Sequence, residues 1–335
     1  MKLFINLSNL VQGGSLQVAH SFLSEINKLT LENSYLVVSN KNFYIDTSLF
    51  DSRFQFQILE SSPSKFSNRF KIGKKLTTLE QSFNPDIVFT LFGPSYWKPK
   101  SLHVSGFADG WVNNPHSVAY KKLNLISRYK RLALNYYKTW RIKLESTHYI
   151  METDESKDSF SKILKIPKID ISVVPNTFNY VFKKKLNKIN KYSNLFNSNY
   201  FNLLTISSYY PHKNFEIIPE VIRLLPKNNL IKFYVTLENN MFSKIFKNHT
   251  DSVINLGPVD INSCPYLYEL SSAVFLPTLL ETFSASYPEA MIMNKPILTS
   301  NLDFAKDLCG DAALYFDSFD PKSIAHVILE LSENK

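Results

Sequence analysis

Short apolar runs return along this 335-residue chain at intervals that leave room for a helix between most of them. In the first half they are Leu3 to Leu7, Tyr35 to Ser39, Phe54 to Ile58, Ile87 to Leu91 and Leu102 to Ser105; in the second, Phe201 to Ser207, Ile231 to Thr236, Val253 to Asn255 and Ala273 to Leu276. Runs this short and apolar read as strands covered on both faces, the condition of a parallel sheet flanked by helices. The first thirty residues show the unit: a strand, the turn Gln12-Gly13-Gly14-Ser15, then Val18, Phe22, Ile26 and Leu29 at helical spacing. The fold class is therefore α/β, built from Rossmann-like units. The chain is too long for one typical core, so two domains are expected. A Lys- and Asn-rich stretch from Lys183 to Tyr200 has little periodicity and divides them: residues 1–180, an exposed linker over 181–200, and residues 201–335.

Composition narrows the function classes. Two cysteines, Cys264 and Cys309, cannot build a zinc site or a disulfide framework, which points to a reducing compartment. The run Met1 to Ile5 is too short for a signal peptide, and no stretch approaches the roughly 20 apolar residues of a membrane span, so a cytoplasmic location is expected. The formal charge of +9 brings in two anionic partners, nucleic acid and a membrane surface. Nucleic-acid binding needs basic residues gathered on one face, and here they are dispersed. From Ser117 to Glu145 a helical pattern interleaves Leu123, Ile126, Tyr129, Leu132, Tyr136 and Trp140 with Arg128, Lys130, Arg131 and Lys138. That surface reads either as a solvated face or as shallow, peripheral attachment to anionic lipid.

Most of the chemistry is concentrated between Pro277 and Met291, where an apolar strand gives way to small hydroxyl residues with a glutamate at each end and then to a helix. Amides of Phe283, Ser284 and Ala285 at a helix N-terminus suit a phosphate. Glu281 and Glu289 cannot bind phosphate, but they can accept hydrogen bonds from sugar and ribose hydroxyls. The combined ligand is a nucleotide sugar. A plainer alternative is a capping box, in which Glu289 bonds back to the backbone of Ser286.

Other candidate stretches follow strands directly, where ligands sit in open parallel sheets. The Gly13-Gly14 turn follows the first strand but forms no G-x-G-x-x-G fingerprint, and there is no Walker lysine, which disfavours nicotinamide and P-loop chemistry. Gly106-Phe107-Ala108-Asp109-Gly110 follows another strand, and there Asp109 reads equally as a functional carboxylate or as a turn residue. In the second half, Ser208-Tyr209-Tyr210-Pro211-His212-Lys213 and Leu256-Gly257-Pro258-Val259 stand in the same position after their strands.

Together these stretches resemble the family 4 retaining glycosyltransferases. Glu281 to Glu289 is similar to their glutamate-x7-glutamate motif, Val173-Val174-Pro175-Asn176-Thr177 to the segment that closes their first domain, and Lys213 to the lysine of their G-R-x4-K-G segment. The resemblance implies a GT-B architecture, two Rossmann-like domains facing across a cleft. It also implies a retaining transfer of a sugar from a nucleotide-sugar donor to a saccharide or lipid-linked saccharide acceptor, as in cell-surface polysaccharide synthesis. By position it puts Glu281 near the donor sugar, Glu289 on the ribose, and Thr282, Phe283, Ser284 and Ala285 along the diphosphate. Gly13 and Gly14 would also face the donor, Ser208 and Lys213 would lie at its phosphates, and Gly257 to Val259 would hold the base. Asp109 is implied as the residue facing the reacting sugar, with His103 second. Three positions depart from the family pattern: Thr177 and Ser284 replace glycines, and Ser208 replaces the arginine that would clamp phosphate. With no D-x-D sequence in the chain, neither a metal nor a cofactor beyond the nucleotide sugar is expected, and Lys213 with the loop amides would stabilise the departing diphosphate. A GT-B sugar-nucleotide epimerase or a sugar phosphorylase would share the fold.

Overall fold

The computed structural model describes residues 1–11, 13–185, 189–226 and 230–333. It divides into two units, one of Met1–Pro115 with Ser127–Pro175 and one of His116–Ile126 with Asn176–Lys335.

The first unit is a seven-stranded parallel sheet of β1 (Lys2–Asn6), β2 (Ser34–Asn40), β3 (Phe54–Leu59), β4 (Ile87–Thr90), β5 (Leu102–Gly106), β6 (His148–Met151) and β7 (Ile171–Val173), in the order β3-β2-β1-β4-β5-β6-β7. Adjacent residues of one strand serve opposite faces, as the two-residue period requires. Ile5, Tyr35 and Val37 enter one core, while Phe4, Leu36 and Val38 enter the other. β6 and β7 were not expected from the sequence. They have only three or four residues, with His148 in β6 and Ser172 in β7 beside the apolar ones, too little pattern to mark a buried strand.

The second unit is a six-stranded parallel sheet of β8 (Phe201–Thr205), β9 (Ile231–Val235), β10 (Val253–Asn255), β11 (Ala273–Leu276), β12 (Ile297–Ser300) and β13 (Leu314–Phe316), ordered β10-β9-β8-β11-β12-β13. Leu203, Phe233 and Phe275 face one core and Leu204, Tyr234 and Val274 the other. In both sheets the strand order reverses beside the first strand of the unit, at β1/β4 and at β8/β11. These are the topological switch points outside which ligands bind in doubly wound sheets. The helix Pro321–Glu333 buries Ile324, Ala325, Val327 and Ile328 in the core of this second unit.

Two boundaries differ from the sequence expectation. The supposed linker packs onto the second unit: Val181, Phe182 and Tyr192 are buried in its core, Phe196 stacks on Tyr234 at 3.8 Å, and the Tyr234 phenol donates to the Leu195 carbonyl. A few aromatic anchors fix a stretch whose Lys and Asn content alone reads as solvent-exposed; residues 186–188 lie outside the described part. The pattern expected as one helix from 117 to 145 is a short 3-10 turn at Val118–Lys122, capped by the Ser117 hydroxyl, followed by a helix at Leu125–Glu145. Leu123 is extended between them, and the segment around the short turn belongs to the second unit.

Candidate active site

The loop after β8 and the loop after β11 leave adjacent strands at the switch point, and they are laced together. The Leu279 amide donates to the His212 carbonyl at 2.7 Å, and the Ser117 hydroxyl donates to the Leu279 carbonyl at 3.3 Å. Pro211 opens a 3-10 turn that ends at Lys213. Asn214 then reverses the chain in the left-handed region (φ 58°), its side-chain amide donating to the Ser318 carbonyl. This geometry brings the Lys213 ammonium onto Glu281 Oε1, which also accepts from the Thr278 hydroxyl at 3.0 Å. The pair retains 20% and 12% of its side-chain exposure, so it is largely sheltered yet still open to solvent. An ammonium has three donors, which leaves Lys213 with capacity for a phosphate oxygen while it holds Glu281.

Thr282, Phe283, Ser284 and Ala285 form the loop before the helix Ser286–Ile292. That helix begins later than the candidate amides. The carbonyls of Ser284 and Ala285 accept its first bonds, from the amides of Tyr287 and Glu289, and Pro288 supplies no donor. Ala285 stands at the cap without a side-chain bond, so the capping box does not form. Glu289 instead turns into the unit, 8% exposed, where Oε2 accepts from the Tyr268 phenol at 2.7 Å. Burial pushes the Glu289 carboxyl up to about 7, against the pull of that hydrogen bond.

The remaining donor-side candidates lie on other loops of the same unit. Gly257 has φ +70°, and a Cβ there would meet nothing, so conformation and not space calls for glycine. Its amide donates to Asn255 Oδ1, and the same side chain donates to and accepts from the backbone of Leu237, tying the loops after β9 and β10 together. Val259 packs against the core beside Leu256. Ser208 is exposed, its carbonyl accepting from the Ser207 hydroxyl. Tyr268 and Asn255 were missed by the sequence reading. No motif marks either one, because each acts through a partner brought up by tertiary packing.

In the first unit, Gly13 occupies φ 75° and caps the helix Gly14–Lys28, a conformation that requires glycine; Gln12 lies outside the described residues. The loop before it is set by Asn6, which accepts from Ser8, and by Asn40, which donates to the carbonyls of Ser8 and Leu10. Asp109 caps the short helix Gly110–Asn113 through the Trp111 amide and pairs with Lys138 at 2.5 Å, so the turn reading describes its contacts. His103, the second candidate beside Asp109, is enclosed by the protein. It is 1% exposed inside the sheet, with Nε2 against the Thr90 hydroxyl and Nδ1 against the Glu145 carbonyl, both at 2.8 Å, and burial holds its imidazole down at about 4. Among the described residues, no group of three His, Cys, Asp or Glu side chains could hold a metal ion.

Residues 200–334 match the family model described as Glycosyl transferases group 1. Two curated relatives match in sequence. The O-antigen chain mannosyltransferase B of Escherichia coli is 26% identical over 140 residues, 39% of this chain and 37% of that protein. The O-antigen chain mannosyltransferase RfbU of Salmonella typhimurium is 25% identical over 196 residues, 56% of this chain and 51% of that protein. The chain thus spans about half, or less, of the length of the curated relatives it matches. Among solved structures, WaaG, a glycosyltransferase involved in lipopolysaccharide biosynthesis, aligns with a TM-score of 0.73 at 15% identity, covering 99% of this chain and 90% of that one. Anabaena HepE in complex with UDP-glucose aligns with a TM-score of 0.70 at 13% identity, covering 100% and 90%. With its two parallel sheets and their helices, the chain has the GT-B fold.

Proposed function

We propose that this protein is a retaining glycosyltransferase that moves a sugar from a nucleotide-sugar donor to a saccharide or lipid-linked saccharide acceptor in cell-surface polysaccharide synthesis. The observation that carries the reading is the pairing of Lys213 with Glu281 at the switch point of the second sheet, one loop ahead of the buried Glu289. A cation for the diphosphate, a carboxylate for the sugar and a carboxylate for the ribose then occupy one end of one sheet, within the segment that matches the glycosyltransferase family model. The mannosyltransferase function of the O-antigen relatives and the UDP-glucose complex of HepE support the same substrate classes. Lys213 takes the part that a divalent ion would otherwise play, so donor binding needs no metal.

The test is calorimetric titration of UDP, GDP and ADP in buffer containing EDTA, into the native protein and Glu289→Gln. Replacing a charged acceptor by a neutral one is expected to weaken the bound nucleotide about 10- to 150-fold, the equivalent of roughly 1.5 to 3 kcal/mol. Unchanged affinity would remove the ribose assignment, and binding that appears only with added Mn²⁺ would remove the metal-free one.

The finer localisation we propose is attachment to the anionic face of a membrane through the helix Leu125–Glu145. Tyr129, Leu132, Tyr136 and Trp140 follow one another at spacings of three and four and are exposed by 71%, 40%, 77% and 50%, forming a single stripe on the solvent side. Arg128 and Lys130 are exposed on the same helix, which gives the charge complementarity to anionic lipid. No helix among the described residues is long and apolar enough to cross a membrane. Binding to vesicles containing phosphatidylserine or phosphatidylglycerol is expected to fall steeply as salt rises and to weaken further in Arg128→Glu/Lys130→Glu. Arg131 is the wrong probe, since its guanidinium lies over the Trp111 ring at 5.0 Å and reversal there would disturb packing. Binding indifferent to salt and to both substitutions would sink the membrane assignment.

A further inference from the structure

The helix Cys264–Leu270 places Tyr268 directly against Glu289. The phenol ring is fully buried and meets the edge of Phe182 at 5.5 Å and 80°, which confines the hydroxyl to a single position. From there it donates to Oε2 alone. Oε1 has no hydrogen-bond partner among the described residues and is not sealed from solvent. The titratable groups facing this carboxyl are the phenol itself and the Cys264 thiol one turn earlier on the same helix; both are held neutral by burial, and the Ser286 hydroxyl adds a hydrogen bond to the phenol. No cation among the described residues bears on Glu289, so the phenol is the group that favours its ionised form.

We propose that Tyr268 is a positioning residue: by occupying Oε2 it fixes the Glu289 carboxyl in one orientation and presents Oε1, with both of its lone pairs, to the ribose hydroxyls of the donor. This deepens the donor-site reading and rests on its assignment of Glu289 to the ribose. Without the phenol, the carboxyl loses both its anchor and the hydrogen bond that offsets its burial. Nucleotide binding should then require a higher pH, because only the ionised carboxylate accepts from two hydroxyls.

The experiment measures the affinity of UDP or GDP, whichever binds, from pH 5.5 to 9 in the native protein, Tyr268→Phe and Glu289→Gln. The Glu289→Gln profile keeps the titration of the nucleotide's own phosphate and lacks that of Glu289, so it serves as the baseline. Relative to it, native affinity is expected to fall as pH drops through about 7, the value to which burial raises this carboxyl. In Tyr268→Phe the midpoint should move up by about one unit and the affinity at pH 7 should fall about fivefold, recovering at high pH. A loss of affinity equal at every pH, with the midpoint unmoved, would mean that Tyr268 only packs and would overturn the proposal. Should Tyr268→Phe fail to fold, replacement of Tyr268 by 3-fluorotyrosine decides the question. Its more acidic phenol donates more strongly and should lower the midpoint, and an unmoved midpoint overturns the proposal equally. If Glu289→Gln binds nucleotide as tightly as the native protein, it is the ribose assignment that fails. If Glu289→Gln is weakened and the Tyr268 variants keep the native midpoint, only the positioning role fails.

Discussion

Replacing Lys213 by Met is expected to slow sugar transfer about 10²- to 10³-fold, the cost of removing one fixed donor aimed at charge that develops in the transition state. In the transfer proposed above, the hard step is the departure of a nucleoside diphosphate from the anomeric carbon, and negative charge grows on the leaving oxygen as that bond lengthens. Other sources of positive potential on this side are modest. By the family resemblance Ser208 replaces the arginine that would clamp the phosphates, and the helix after the Glu281 loop has seven residues with a proline in its first turn. The burden therefore falls on the ammonium. Because the interaction strengthens as charge builds, kcat should fall more than KM rises. A structural explanation has to be separated from this one, since Lys213→Met strands Glu281 as a sheltered carboxylate with, among the described residues, only the Thr278 hydroxyl as a hydrogen-bond partner. Lys213→Met/Glu281→Gln removes that stranded charge and should recover melting temperature without recovering turnover. If the double variant regains turnover to within a few-fold of Glu281→Gln alone, Lys213 serves the fold and not the leaving group.

What could be read beforehand followed from local pattern. The strands β1, β8 and β11 announce themselves because burial on both faces demands unbroken apolar runs, and the loops that follow them inherit their position at the sheet end from topology. Glu281 and Glu289 are eight residues apart and share one loop-helix element, so sequence alone places them near each other. Lys213 is 68 residues from Glu281, and only the adjacency of β8 and β11 makes them partners. Tyr268 was invisible for the same reason, and it removes the capping box: a carboxylate drawn inward by a phenol does not return to a helix cap. The burial of His103 was not legible because a strand residue one position from solvent and one inside a hydrogen-bonded network look alike in a sequence. The exposed aromatic stripe of the helix Leu125–Glu145 was half legible, as its composition showed but its outward direction depended on Asn135, Ile142 and Glu145 being the buried side.

Glu145 received no attention from the sequence, yet its removal should produce the largest loss of stability in the first unit. Its carboxylate is almost wholly buried; Oε2 accepts from the Ser95 amide, the Ser95 hydroxyl and the Tyr96 amide at 2.8, 2.9 and 3.1 Å, and Oε1 pairs with Arg141 at 2.5 Å. Glu145→Ala leaves two amides and a guanidinium without their acceptor, at a cost of about 3 to 5 kcal/mol, as for other buried ion pairs broken from one side. For a unit of this size that corresponds to a melting temperature lower by roughly 6 to 20 °C. Glu145→Gln keeps an acceptor for Ser95 and Tyr96 and separates the hydrogen bonds from the charge. Burial raises the Glu145 carboxyl to about 7, opposed by Arg141 and the Ser95 bonds, so between 4.5 and 7 the folded unit holds this proton more firmly than the unfolded chain does. The associated stability is fully present below 4.5 and is lost as pH rises through 7. His103 has the opposite sign. Its imidazole is held down at about 4, so the folded unit binds fewer protons than the unfolded chain between 4 and 6.5, and stability is lost as pH falls through that window. In the native protein the two slopes offset each other from 4.5 to 6.5. Glu145→Gln leaves the imidazole unopposed, and the first unit should lose up to about 3 kcal/mol on acidification from pH 6.5 to 4 beyond any native loss. Melting curves of the native protein and of Glu145→Gln across that range decide it, and parallel pH profiles would mean that the Glu145 carboxyl titrates alike in the folded and unfolded states.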